Sequence, residues 1–146
     1  MPKEAMNIDM EMQAVMDNLP AWLEAISSEA SHLGFEQKRI REIELALEEA
    51  LVNVVSYAYD KPGGMVRISS FIDEAHALWC IQIEDEGKPF DIETTGEPDL
   101  DAPLEERQIG GLGVYLIRKL MDGVCYERKG TRNVLTLSVH LPDGRP

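Results

Sequence analysis

FEQKRIREIELALEEALVNVVSY, residues 35–57, is the stretch on which the fold turns. Ile40, Ile43, Leu47, Leu51 and Val54 recur at intervals of three and four, which is one helical stripe, so the spacing predicts a long amphipathic helix resting on a core. Upstream, Asn18 or Asp17 offers an N-cap for a helix over 19–32, with Pro20 near its start and Gly34 ending it, and residues 5–12 alternate loosely as a first strand. Downstream, KPGG at 61–64 is a turn, and the β-rich runs 65–72 and 77–83, joined by Asp73, Glu74 and Ala75, form a hairpin. Residues 91–108 are rich in Pro, Gly and acids, without a period, and longer than most connections inside a domain. From Gly113, VYLIRKLMD places Val114, Ile117, Leu120 and Met121 on one side of a short helix, and strands over 124–129 and 133–141 follow, turned at Gly130. Helices and strands are segregated, which predicts an α+β two-layer sandwich with helices on one face of a mixed, mostly antiparallel sheet. No repeat or linker divides residues 1–146, so a single domain is expected.

Bulk properties narrow the setting. The chain has 146 residues, 44% of them hydrophobic and 28% charged, and a domain of that size buries roughly 68–70% of its unfolded surface. Its formal charge is −13, from 14 basic and 27 acidic residues, which disfavours binding to nucleic acid or to an anionic membrane. A solvated acidic coat is the ordinary explanation, and attraction to a basic partner surface is the functional one. Cys80 and Cys125 lack paired or metal-binding spacing and read as buried thiols of a reducing compartment. With no apolar N-terminal leader and no run of about 18 apolar residues, a cytoplasmic location is expected.

Three segments carry chemistry. In EEALVN, residues 48–53, Glu49 and Asn53 lie four apart and share a helix face off the apolar stripe. An Asn amide oxygen suits Mg2+, and a carboxylate beside it could accept a proton from an attacking hydroxyl or water. Polar pairs at this spacing are also common on exposed helix faces. In EDEGKPFD, residues 84–91, Asp85 stands at the end of an apolar strand as an acceptor for the exocyclic amine of adenine, and Gly87 lets a flat base approach the backbone. Turn chemistry alone also explains these residue types. GGLG, residues 110–113, precedes a helix whose N-terminal amides can face phosphate oxygens, although a plain helix-capping loop uses glycine equally well. No Lys-Ser or Lys-Thr follows, so it is not a Walker loop, and Leu116 occupies the third glycine position of a dinucleotide fingerprint. His32, His76 and His140 are dispersed and read as surface or edge residues. Trp22 and Trp79 read as core aromatics, Trp22 being the one to consider for an interface, and the N-terminal methionines as core filler or an adaptable partner surface.

In this order, the segments resemble the boxes of the GHKL (histidine kinase-like) ATPase superfamily. Within it, the chain most resembles the short stand-alone anti-sigma-factor serine/threonine kinases. The resemblance runs from the helix at Leu19 to the last strand. It implies a Bergerat-type ATP-binding fold, with ATP and Mg2+ as cofactors and a lid at about residues 92–110. It further implies Glu49 as general base and Asn53 as Mg2+ ligand. Asp85, Gly87, Pro89 and Phe90 fall at the adenine, and Arg107, Gly110, Gly111, Leu112 and Gly113 near the phosphates. The implied partners are a sigma factor or similar regulator and a small antagonist (anti-anti-sigma) protein phosphorylated on serine or threonine, with a homodimer possible. A silent nucleotide-gated binding module and a detached histidine-kinase catalytic domain are the alternatives. In the chain's departure from the family, Tyr57, Ala58 and Tyr59 stand where many such kinases carry His-Gly-Tyr. No phosphoacceptor-His segment precedes the first helix, which argues against a complete sensor kinase.

Overall fold

A computed structural model describes residues 8–89 and 111–142. Its elements are β1 (Asp9–Gln13), α1 (Leu19–His32), α2 (Gln37–Asn53), β2 (Met65–Asp73), β3 (Leu78–Asp85), α3 (Gly111–Leu120), β4 (Gly123–Lys129) and β5 (Arg132–His140). The strands form one sheet in the order β1-β2-β3-β5-β4. All four pairings are antiparallel, so among the described residues the expected mixed sheet is a uniform one. The α+β two-layer class stands as expected, with α2 packed between α1 and α3.

Period-two alternation sends one face of each strand into the helices. Val66 and Ile68 of β2, Trp79, Ile81 and Ile83 of β3, and Leu137 and Val139 of β5 are buried together with Ile43, Leu47 and Leu51 of α2. The α2 stripe is therefore the one read from the sequence. Trp22 is wholly buried in this core, which removes it as an interface residue, and its burial follows from an α1 face that also carries Ile26 and Ala30. Met10 and Met12 of β1 pack against the same core, while Met16 is exposed. Cys80 is buried but Cys125 is exposed, because edge strand β4 turns it to the outer face of the sheet. On that outer face Arg67 holds Asp9 of β1 at 2.8 Å, and Arg132 of β5 lies 3.4 Å from Glu84 of β3. His32, His76 and His140 are exposed, as expected.

Local chemistry explains the element boundaries. Asn18 precedes α1 without capping it, its amide donating instead to the Gln13 carbonyl, and Pro20 sits in the first turn. Gly34, at φ 94°, ends α1: its N–H reaches Ser31 O and that of Phe35 reaches Ala30 O, the paired bonds of a Schellman stop. The long helix is shorter at both ends than the expected 35–57, since residues after Asn53 widen into a π-helical turn, Val54–Ala58. Such turns leave the hydropathy period almost unchanged, which is why the pattern alone ran on. Strand β1 lies at 9–13 rather than 5–12, with 1–7 outside the described residues, and α3 begins at Gly111 rather than at Gly113. No described helix is long and apolar enough to cross a membrane.

Glu29 is an exception within the core: its carboxylate is buried without a hydrogen-bond partner among the described residues. Burial pushes its pKa up, against a smaller opposing pull from His32. With the folded-state pKa above the unfolded one, the stability this group permits is full at acid pH and falls as pH rises through the raised value. Glu29→Gln is expected to raise stability near neutral pH and to flatten that decline, as read by urea unfolding across pH. Ile43→Ala, at a fully buried site, is expected to cost about 2–5 kcal/mol in the same measurement.

Candidate functional site

Two chain ends meet beside α2 to make the site. The π-helical turn carries α2 toward the end of β3, where the Lys88 N–H donates to Ala58 O at 2.8 Å. Gly87 is packed so closely on the Ala58 backbone that a Cβ there would overlap it. Tyr59 completes the junction, its hydroxyl accepting from the Glu86 N–H at 2.8 Å and donating to Met65 O. Between these segments and the β4–β5 hairpin lies a pocket of about 290 Å³. Ala50, Val54, Ile83, Ile117 and Leu135 give it apolar walls, and Asn53, Asp85 and Asn133 supply polar groups.

Asp85 is the last residue of β3 and shares the inward face with Ile81 and Ile83. Only 6% exposed, it accepts two hydrogen bonds on Oδ1, from the Gly87 N–H and from Asn133 Nδ2, both 2.8 Å. Burial pushes its pKa up; the bonds from Asn133 and Gly87 and the charge of Arg128 pull the other way. Asn133 lies directly across the ladder from Asp85 and is equally buried. A half-buried apolar slot ending in one carboxylate suits a flat heterocycle with an exocyclic amino group.

Some of the residues singled out in the sequence come together here. Asn53, Asp85 and Pro89 line the pocket, and Gly87 lies in its rim against Ala58. Glu49 is on α2 one turn before Asn53, half-buried, and is not part of the pocket wall. Gly111, Leu112 and Gly113 form the first turn of α3, whose later residue Ile117 reaches the pocket. Phe90, Arg107, Gly110 and the expected lid lie outside the described residues. Tyr57, noted in the sequence only as a departure from the family, lines the pocket, and sequence reasoning missed the group Tyr126, Arg128 and Asn133. Their signal was a polar Asn at the first of the alternate positions 133, 135, 137 and 139, which are otherwise apolar.

Comparison with known proteins identifies the family. The histidine kinase-like ATPase domain matches residues 12–139. The chain belongs to that family. ATP is accordingly a ligand of this chain. The family's serine-protein kinase RsbW of Oceanobacillus iheyensis is 34% identical over 122 residues, covering 80% of this chain and 76% of that protein. RsbW of Halalkalibacterium halodurans is 37% identical over 103 residues, 68% of this chain and 62% of that one. RsbW of Listeria monocytogenes is 33% identical over 118 residues, 77% and 74%. Among solved structures, the RsbU and RsbW domains of a Mycobacterium tuberculosis protein match 92% of this chain at TM-score 0.65 and 13% identity. This chain spans 32% of that longer one. The histidine kinase domain of a blue-light activated kinase from Erythrobacter litoralis matches 84% of this chain, and 61% of its own length, at TM-score 0.54 and 21% identity. At such identities the two structures bear on the histidine kinase-like fold alone.

Because a Cβ at Gly87 would strike backbone atoms, which cannot swing aside, Gly87→Ala is expected to displace the loop that carries Lys88 and Pro89. The parent protein at 100 times its Kd for ATP should gain about 2.7 kcal/mol of stability. The variant is expected to lose most of that gain in a thermal melt, while keeping a cooperative transition.

Proposed function

We propose that this chain is an ATP-dependent serine/threonine protein kinase that controls a sigma factor or similar regulator by phosphorylating a small antagonist protein. The observation that carries the reading is the pairing of Asp85, the buried acceptor, with Asn53 on the facing helix, both in one apolar pocket. Support for the kinase class comes from the relatives, serine-protein kinases by name. Adenine would enter between Gly87 and the apolar walls with its amine on Asp85, leaving the phosphates toward Asn53 and the first turn of α3.

The residues present fit Mg2+. Asn53 offers a neutral oxygen to the pocket, and no group of three or more His, Cys, Asp or Glu among the described residues could hold a metal by itself. A single protein oxygen is compatible with an ion that takes its other ligands from phosphates and water. Bound there, Mg2+ would offset charge on the transferring phosphoryl group. Glu49, one turn away, would take the proton of the substrate hydroxyl as its oxygen bonds to the γ-phosphorus and ADP leaves. Exposed Val15, Met16 and Met65, close together where β1 meets β2, offer apolar surface to a protein partner or a second copy. The reading carries a cytoplasmic location.

A second reading, a nucleotide-gated binding module that transfers no phosphate, draws on the position of Glu49 outside the pocket wall. Glu49→Ala separates the two. The kinase reading expects unchanged ATP binding and a loss of transfer of about 10²–10⁴-fold, measured with γ-labelled ATP and a cell extract containing the small acceptor. Undiminished transfer removes Glu49 from the mechanism, and no labelled protein with either form favours the binding module.

A further inference from the structure

Asn133 is held by four hydrogen bonds that leave its amide one orientation. Its Nδ2 donates to Asp85 Oδ1 and to Lys88 O, each at 2.8 Å. Its Oδ1 accepts from the Tyr126 hydroxyl and from Arg128 Nη1, the latter at 3.1 Å. A flipped amide would set oxygen against a carboxylate and a carbonyl, and NH2 against the donor-only guanidinium of Arg128. Arg128 Nη1 also donates to Gly87 O at 2.8 Å, so the hairpin grips the loop on which the base would rest. Asp85 Oδ1 is thereby committed to protein donors, whereas Oδ2 has no protein hydrogen bond among the described residues.

We propose that Asn133, held by Tyr126 and Arg128, is the positioning residue that sets nucleobase selectivity, by keeping Asp85 an acceptor whose one uncommitted oxygen faces the pocket. The inference rests on the adenine reading of Asp85 and goes beyond it. A carboxylate accepts from the exocyclic amine of adenine and repels the O6 of guanine; a protonated carboxyl can donate to that O6. Burial favours the protonated form of Asp85, and the donors Asn133 and Gly87, with the charge of Arg128, oppose it. Among the described residues the other titratable or charged groups around Asp85 are Tyr126 of β4, Tyr57 and Tyr59 after α2, and Glu86 and Lys88 of its own loop; its β2 partner is apolar Val66. Selectivity thus depends on a side chain that need not touch the base.

The test measures Kd for ATP and GTP across pH by calorimetry for the parent, Asn133→Ala, Tyr126→Phe and Asp85→Asn. Asn133→Ala is expected to lower the ATP-over-GTP preference about tenfold and to shift the acid limb of ATP binding to higher pH. Tyr126→Phe, which removes one hydroxyl, is expected to move both in the same directions by less. A general structural loss would weaken both nucleotides alike and leave the pH limb in place. Parental preference and pH limb in both variants overturn the inference. If Asn133→Ala does not fold, Tyr126→Phe decides alone. A parent that does not prefer ATP, or an Asp85→Asn variant that keeps the preference, overturns the adenine reading itself, a result separable from failure of the Asn133 role alone.

Discussion

The site depends on one close approach, that of Gly87 to the backbone of Ala58. The Lys88 N–H to Ala58 O bond joins the end of the central helix to the end of the central strand, and the absence of a side chain at Gly87 lets the bond form. The contact sets the loop that carries Lys88 and Pro89 against the turn that follows α2, beside the pocket that Asn53 and Asp85 line. The π-helical turn is part of the same device, because its wider backbone carries the chain from α2 across to the strand end.

The pocket differs from the rest of the interior in what it buries. Apart from Glu29 and Ser70, the core elsewhere is aliphatic and aromatic, built on Trp22, Trp79 and the α2 stripe. At the strand ends it becomes polar, with Asp85 and Asn133 both nearly inaccessible and bonded to each other. A buried polar network is favourable only when its members are satisfied, and here Asn133 uses both amide protons and accepts twice. At the other end of the molecule Arg39 of α2 donates to Leu120 O, closing the C-terminus of α3, and pairs with Asp122. The helix whose first turn holds the glycine segment is therefore anchored by its last.

Periodicity made the fold largely legible. The α2 stripe, the β2–β3 hairpin and the stop at Gly34 each rest on local chemistry that a sequence displays, and the structure moves their ends by only a few residues. The π-helical turn was not legible, since the apolar positions Val54 and Val55 continue the helical pattern through it. In the site, Asn53 and Asp85 could be found because their segments carry a recurring order. Asn133, Tyr126 and Arg128 could not, because their meaning comes from cross-strand register: Asp85 faces Asn133 and Arg128 faces Asn133 on opposite sides of β5. The exposure of Cys125 was hidden for the same reason, as it follows from which strand takes the edge.

Along β3, Trp79, Ile81, Ile83 and Asp85 fall on one face, and along β5 Asn133, Leu137 and Val139 do the same. The core and the polar pair of the pocket therefore share a parity. Inserting or deleting one residue inside either strand would reverse the whole set, turning the carboxylate to solvent in the same event that exposes the aromatic and aliphatic side chains. A change of two residues would return the side chains to their faces but slide Asp85 past Asn133. The register that builds the core is thus also the one that sets the Asp85 carboxylate in the pocket opposite Asn133.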